Sequence, residues 1–210
     1  MPFYKNNIYP GLVARFGDPT PIQNIRRQII PLAEGIVLEI GVGSGANFPH
    51  YDSTRVTKLY ALEPNPGMVL LAERRARQTK LNIEYIDLPG ERIPLEDGSI
   101  DSVVSTFTLC TIPGIVDAIQ GITRVLRPDG KLIFFELGLS PDGEVQQRQR
   151  QLEPICQRLF QGLYLTRDIP GLIREGGFQI KQMEQGYLAE FPKSLSYCWW
   201  GIAAPQSQKE

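Results

Sequence analysis

The sequence has little of what several classes of protein depend on. Of its 210 residues only three are cysteine and one is histidine, and no closely spaced Cys/His set offers ligands for zinc. No apolar run is long enough to cross a bilayer, and the first ten residues are too polar for a secretory signal. We therefore expect no metal centre, no secretion, no integral membrane segment, and a cytoplasmic protein whose cysteines are reduced.

An excess of either charge is also missing. The 22 basic side chains are balanced by 23 acidic ones, for a formal net charge of −1. Without a basic field there is little to attract a phosphate backbone, so we expect no nucleic-acid partner. With one histidine and no Ser/His/Asp set to assemble, the sequence also offers little for acid–base or nucleophilic catalysis.

What the chain does have is a regular alternation of strand and helix patterns. Its apolar content of 42% is enough for one compact domain covering residues 1–210. Short β-rich runs occur at 36–40, 58–62, 82–86, 101–106 and 131–136, and helical patterns at 21–32, 66–79 and 115–126. Such alternation implies right-handed crossovers and a mostly parallel sheet covered on both faces, an α/β doubly wound fold.

Three further segments complete the predicted architecture. The runs at 178–183 and 197–203 predict an antiparallel hairpin at one edge, which makes a sheet of seven strands. Residues 140–167, rich in glutamine and arginine, predict a helical insertion near the active site. In the helix at 21–32 isoleucines recur at helical spacing, with Arg26 and Arg27 on the opposite face.

A glycine loop follows the first predicted strand. Gly41, Gly43 and Gly45 lie between this strand and a predicted helix. Glycines let the backbone turn sharply and approach a ligand, and a helix N-terminus favours negative charge. Glu63, at the tip of the second strand, is placed to accept hydrogen bonds from the two hydroxyls of a ribose. The pattern predicts a site for a nucleotide-like cofactor.

The glycine loop alone does not identify that cofactor. Gly41, Gly43 and Ala46 also match the dinucleotide pattern G-x-G-x-x-A, so an NAD-dependent oxidoreductase stays open. Glu39 favours a different ligand, because a buried acid needs a donor, either the amino group of a methionine moiety or the loop's own amides. The sequence also lacks a Tyr-x-x-x-Lys pair and a histidine after the fourth strand for hydride chemistry.

Residues 36–136 resemble the class I S-adenosylmethionine-dependent methyltransferases of the ubiquinone and menaquinone type. The similar segments are E-x-G-x-G-x-G at 39–45, and residues 62–65, 90–95, 97–101 and 126–130, the last being the turn before the fifth strand. The resemblance implies S-adenosylmethionine as cofactor and S-adenosylhomocysteine as product. The binding residues it implies are Glu39, Gly41, Gly43, Gly45, Asn47, Glu63, Pro64, Gly90, Glu91, Thr106 and Phe107.

Within this family the sequence is most similar to the methyltransferase-like enzymes that methylate alkyl thiols. The likeness lies in residues 45–48, Tyr51, residues 109–110 and residues 162–167. It departs from that subgroup in lacking an N-terminal membrane anchor and in having Leu137 where a histidine follows the glutamate. Pro89 also stands where many relatives have an aspartate bonded to adenine. The resemblance implies a small, fairly apolar acceptor such as a thiol; O-, N- or C-methylation of a quinone, phenol or lipid head group, and non-catalytic binding of S-adenosylmethionine, stay open.

Methyl transfer depends mainly on alignment and desolvation, so an acid–base pair is not obligatory. His50 is a candidate base or a surface residue, and Cys110 either faces the acceptor or is a small buried thiol. Glu136 either orients the substrate or caps the neighbouring loop. Arg167 either pairs with an acidic acceptor group or only neighbours an N-cap at Thr166.

Aromatic side chains near both ends of the chain are candidates for the acceptor site. Residues 1–34, with Phe3, Tyr4, Tyr9 and Phe16, are predicted to cover the cofactor as a flap or to pack on the sheet, and Tyr4 and Tyr9 are candidate substrate contacts. Trp199 and Trp200 must point to opposite faces of their strand, so at most one of them lines a pocket.

Overall fold

The protein, described from a computed structural model over residues 10–11, 18–160 and 162–206, forms a seven-stranded sheet with helices on both faces. The strands are β1 Gly35–Ile40, β2 Val56–Leu62, β3 Ile83–Ile86, β4 Ile100–Thr106, β5 Leu126–Leu137, β6 Phe178–Tyr187 and β7 Tyr197–Pro205. The helices are α1 Thr20–Ile29, α2 Pro66–Ala76, α3 Ile115–Val125, α4 Gly143–Leu159 and α5 Ile169–Glu175. Short 3-10 turns cover Ile30–Leu32, Phe48–His50 and Lys193–Leu195.

The strand order is β3-β2-β1-β4-β5-β7-β6. The first five strands are parallel, while β7 is antiparallel to both β5 and β6. The predicted α/β fold and its C-terminal antiparallel hairpin are therefore confirmed. Since β1 lies between β2 and β4, the order reverses there, and ligands bind such sheets outside the carboxyl ends of the strands at this point.

Alternate residues of the strands supply two hydrophobic cores, one on each face of the sheet. Val37 and Phe135 pack on one face with α1, and the adjacent Leu38 and Phe134 pack on the other with α3 and α5. Covering both faces leaves the loops at the carboxyl ends of the strands as the accessible edge. Within the described ranges no helix is both long and apolar enough to span a membrane.

The prediction of a helix after the glycine loop was wrong. Residues 41–55 form turns and the short 3-10 segment Phe48–His50 before β2 begins. Pro49 has no N–H to donate to a helix, and the side chains of Asn47 and Tyr51 are directed inward to hydrogen bonds with Glu39. The loop therefore has no helix N-terminus to offer an anion.

Two other boundaries differ from the prediction. The turn expected at 126–130 is part of β5, because Leu126 pairs with Ile100 and the register then shifts before Ser102 pairs with Lys131. Thr166 is not an N-cap: the Asp168 carboxylate caps α5 by accepting a hydrogen bond from the Gly171 amide at 3.1 Å. The aromatic residues Phe3, Tyr4, Tyr9 and Phe16 lie outside the described residues.

Candidate functional site

A cavity of about 680 Å³ opens at the carboxyl ends of β1, β2 and β4. Its walls come from the glycine loop, the tip of β2, residues 89–91, the loop after β4 and the inner face of α1. Eight of the predicted cofactor residues line it: Gly41, Gly43, Glu63, Pro64, Gly90, Glu91, Thr106 and Phe107. Glu39, Gly45 and Asn47 do not line it and lie behind its wall.

Glu63 connects the glycine loop to the end of β2. One carboxylate oxygen accepts a hydrogen bond from the Gly43 amide at 2.9 Å, and the other accepts one from the Asn65 amide at 2.9 Å. Burial raises the pKa of this carboxyl group, while the two amides act in the opposite direction. Each oxygen retains a second lone pair, so Glu63 can still accept hydrogen bonds from a ligand in the cavity.

The loop glycines leave room for different neighbours. All three have positive φ, +66° at Gly41, +56° at Gly43 and +74° at Gly45. A Cβ on Gly43 would meet nothing nearer than the Gly41 carbonyl oxygen at 3.9 Å, whereas a Cβ on Gly45 would lie 2.8 Å from the Phe48 ring. Gly43 therefore leaves space for a ligand, and Gly45 leaves space for the protein's own packing.

Glu39 supports the glycine loop from inside the protein. It is only 1% exposed and accepts hydrogen bonds from the Tyr51 hydroxyl at 2.7 Å and the Asn47 amide group at 2.8 Å. Burial raises its pKa to about 7, although both hydrogen bonds favour the charged form. The donors predicted from the sequence were loop amides or a ligand amino group, but the side chains of Asn47 and Tyr51 fill this role.

Arg26 lies on the buried face of α1 and not on the opposite face as predicted. It is 6% exposed, lines the cavity, and donates hydrogen bonds to Asn47 and, at 3.1 Å, to the Thr106 hydroxyl. Its Nε lies 3.2 Å from a carboxylate oxygen of Asp18. Burial lowers the pKa of this guanidinium, and Asp18 partly offsets that effect. The helix brings Arg26 beside Ile22, four residues earlier, so a positive charge faces the cavity near the glycine loop.

Neither catalytic candidate lines the cavity. His50 lies half-buried at the end of its 3-10 segment, where burial lowers its pKa. Cys110 is fully buried, and burial raises the pKa of its thiol well above the ordinary value, with the Glu136 carboxylate adding to the effect. The structure thus favours the interpretation of Cys110 as a small buried thiol.

Glu136 and Arg167, both predicted substrate contacts, hold the loop after β4 instead of lining the cavity. The buried Glu136 carboxylate accepts hydrogen bonds from the Ser105 hydroxyl at 2.7 Å and from the amides of Thr108 at 3.1 Å and Cys110 at 3.0 Å. Burial raises its pKa, and these donors oppose the shift. The Arg167 guanidinium donates to the carbonyls of Leu109 and Ile112. Glu136 therefore caps the loop, as its second interpretation proposed.

The outer part of the cavity is apolar. Phe107, Leu137, Phe160 and Leu163 line it, and no histidine, cysteine, lysine or tyrosine does so among the described residues. In the cavity as a whole, the ionisable side chains among the described lining residues are those of Asp18, Arg26, Glu63 and Glu91. Trp199 and Trp200 pack into opposite cores, as predicted, and neither lines the cavity.

Comparisons with known proteins agree with this geometry. Residues 38–134 match the family described as "Methyltransferase domain". Human thiol S-methyltransferase TMT1B is 36% identical over 154 residues, which are 71% of this chain and 62% of that protein. The ubiquinone/menaquinone biosynthesis C-methyltransferase UbiE of Pseudomonas syringae pv. syringae (strain B728a) is 30% identical over 144 residues, covering 63% of this chain and 53% of the relative.

Solved structures show the same fold. A crystal structure of an S-adenosylmethionine-dependent methyltransferase from Methanosarcina mazei superposes with a TM-score of 0.67 at 20% identity, covering 82% of this chain and 93% of the other. The chain spans less than two thirds of the length of the thiol S-methyltransferases it matches.

Proposed function

Because this chain carries a methyltransferase domain of the class I, S-adenosylmethionine-dependent type, we propose that it transfers the methyl group of this cofactor to a small, apolar thiol. The observation that carries the proposal is one continuous cavity that joins Glu63 and the glycine loop to an apolar end. The thiol S-methyltransferase relatives support the choice of acceptor.

The residues present fit the cofactor. Gly43 leaves open space for its methionine part, and Glu63 has lone pairs free for the ribose hydroxyls. Gly90 and Glu91 would contact the adenine. The buried Arg26 guanidinium, which pairs with Asp18 and lines the cavity, would bind the carboxylate of the methionine part.

No histidine, cysteine, lysine or tyrosine among the described residues lines the apolar part of the cavity. This favours a thiol, which needs no protein base, over an alcohol. Bound S-adenosylmethionine supplies a methyl group on a positively charged sulfur. Transfer of this methyl group to the acceptor sulfur would give a methyl thioether and leave S-adenosylhomocysteine, whose sulfur is neutral. The thiol proton would go to solvent, because a thiol is far more acidic than an alcohol and forms its reactive thiolate in water without a protein base.

The geometry gives no support to the dinucleotide alternative. A dinucleotide site places the pyrophosphate at the N-terminus of the helix that follows the glycine loop. Here turns and a 3-10 segment follow that loop. A cytoplasmic location stays a prediction, supported by the three unpaired thiols.

The pH dependence of turnover tests the proposal. With S-adenosylmethionine saturating, kcat/KM should rise about tenfold per pH unit and level off at the pKa of the acceptor thiol. An aromatic thiol of lower pKa should move the midpoint down by the difference between the two thiols. A midpoint that stays fixed across acceptors would assign a base to the enzyme. Cofactor binding without turnover on any thiol would contradict the proposed activity, and turnover on quinols alone would indicate O- or C-methylation instead.

A further inference from the structure

Two segments that are distant in sequence lie side by side at the apolar end of the cavity. One is the loop after β4, residues 107–113, which we name the β4 loop. The other begins at the end of α4 and contributes Phe160 and Leu163, which we name the acceptor wall. The Phe160 side chain is 43% exposed, and its amide donates a hydrogen bond to the Cys156 carbonyl of α4 at 2.8 Å.

Main-chain contacts join the acceptor wall to the β4 loop. The Tyr164 amide donates a hydrogen bond to the Cys110 carbonyl at 2.8 Å, directly after Leu163. Gly162 is close to the same loop, since a Cβ there would lie 3.0 Å from the Thr111 carbonyl oxygen. The acceptor wall is therefore set by where the β4 loop lies.

Arg167 strengthens this connection through its side chain. Its guanidinium donates to the Leu109 and Ile112 carbonyls of the β4 loop, and it stacks on the Tyr164 ring with 3.9 Å between the guanidinium carbon and the ring centroid. The planar guanidinium thus contacts both the β4 loop and Tyr164, the residue that follows Leu163.

Arg167 is itself held firmly. Its carbonyl oxygen accepts a hydrogen bond from the Leu139 amide at 2.9 Å, just beyond β5. The Glu153 carboxylate of α4 accepts hydrogen bonds at 2.8 Å from the amides of Leu165 and Thr166 and from the Thr166 hydroxyl. The guanidinium therefore projects from a segment anchored both to the sheet and to α4.

We propose that Arg167 is a positioning residue that holds Leu163 against the β4 loop, and that the acceptor wall, which Leu163 forms with Phe160, selects thiols with an apolar body. The inference rests on the proposed thiol methyltransferase activity. Arg167 acts through the wall and makes no contact with the acceptor, because its guanidinium is occupied by two carbonyls and does not line the cavity.

A series of alkanethiols of increasing length measures the wall directly. Each methylene group that is buried against it should raise kcat/KM about fourfold. Hydrosulfide, which has no apolar body, serves as the acceptor that does not need the wall.

Arg167→Met removes the donors while keeping an apolar side chain. In this variant we expect the factor by which each methylene group raises kcat/KM to fall from about four towards one. The kcat/KM for the longest thiols should be reduced more than about tenfold. Turnover of hydrosulfide and the calorimetric Kd of S-adenosylhomocysteine should each change less than about threefold, since Glu63 and the glycine loop are untouched. Arg167→Lys, which keeps the charge, should recover part of the length dependence.

Arg124→Met is a matched control. The Arg124 guanidinium also binds two main-chain carbonyls, those of Leu95 at 2.8 Å and Ile93 at 2.6 Å, but neither residue lines the cavity. We expect this variant to lose stability and to keep the dependence on chain length. If Arg167→Met does not fold, Leu163→Ala measures the same dependence and should lower it.

The outcomes separate the two proposals. Turnover of no thiol, hydrosulfide included, overturns the proposed function. A length dependence that is unchanged in Arg167→Met or in Leu163→Ala overturns the positioning role of Arg167 while the thiol activity stands. A selective loss of 3-mercaptopropionate relative to propanethiol in Arg167→Met would mean that Arg167 contacts an acidic acceptor directly, and would also overturn it.

Discussion

At the scale of single residues, three buried glutamates each hold one loop of the site in place. Glu39 holds Asn47 and Tyr51, Glu63 holds the Gly43 amide, and Glu136 holds the amides of the β4 loop. Only Glu63 also lines the cavity. The hydrogen-bond donors of these glutamates replace part of the water that each carboxylate has lost, although burial still raises the pKa of all three.

Glu63→Ala should weaken cofactor binding. Loss of the hydrogen bonds to the ribose, and of the support for Gly43, is expected to cost about 1–3 kcal/mol, which is about a 5- to 150-fold rise in Kd. Isothermal titration calorimetry with S-adenosylhomocysteine measures this. Glu84→Ala, which removes an exposed carboxylate on β3 that pairs with Lys58, is the control and should bind as the parent does. If Glu63→Ala bound S-adenosylhomocysteine as tightly as the parent, Glu63 would not bind the ribose.

Glu39 should make the stability depend on pH. Burial raises its folded-state pKa from 4.5 to about 7, so the folded protein holds a proton that the unfolded chain releases within this window. The free energy of unfolding should therefore fall as pH rises from about 4.5 to about 7, by up to about 3 kcal/mol from this group. Urea unfolding across that range, with Glu39→Gln beside the parent, measures the effect. A parallel pH dependence in both proteins would contradict the assignment.

The sequence predicted the position of Glu63 at the edge of the sheet correctly, but it predicted the wrong face of the helix for Arg26. Glu63 follows a strand, and a strand end fixes the edge of the sheet at which a side chain lies. Arg26 lies on a helix, and its charge alone suggested solvent. Its spacing of four residues from Ile22 was the available signal for the buried face. That a basic group is tolerated there depends on Asp18, Asn47 and Thr106, partners that only the fold brings together.

At the scale of elements, two glycines of the glycine loop have different roles: Gly45 allows close packing within the protein, and Gly43 leaves space for a ligand. Gly45→Ala places a Cβ 2.8 Å from the Phe48 ring and 3.1 Å from Ala72 Cα of α2, so it should destabilise the protein by about 1–3 kcal/mol. Gly43→Ala meets open space in the protein but projects into the cavity.

We therefore expect Gly43→Ala to lose at least about tenfold in cofactor affinity with a smaller loss of stability, mainly from its positive φ. Thermal unfolding and calorimetry on both variants measure the two effects. If Gly45→Ala lost more affinity than Gly43→Ala, the assignment of the two glycines would be reversed.

Strands were predicted more accurately than loops. The five parallel strands and the hairpin follow from apolar periodicity, which depends only on neighbouring residues. The β4 loop does not: its shape depends on Glu136 and Arg167, which are 26 and 58 residues away from the groups they bind at Cys110 and Leu109. The helix predicted after β1 failed similarly, because Asn47 and Tyr51 bond to Glu39 instead of continuing a helix.

At the scale of the whole molecule, the two cores share one sheet, so ligand binding at its edge should stabilise the described fold as a unit. Saturation with S-adenosylhomocysteine at a hundred times its Kd adds about 2.7 kcal/mol, which should raise the midpoint of a single thermal transition by about 5–10 °C. Differential scanning calorimetry measures this. NAD should leave the midpoint unchanged, and a rise with NAD alone would contradict the cofactor assignment.

The most direct measurement is transfer of a labelled methyl group. The protein is incubated with S-adenosylmethionine carrying a trideuterated methyl group and an alkanethiol, and the products are identified by mass spectrometry. We predict a methyl thioether that carries all three deuterium atoms on the methyl bound to sulfur, together with S-adenosylhomocysteine. Tight binding of the cofactor with no labelled thioether would contradict the account.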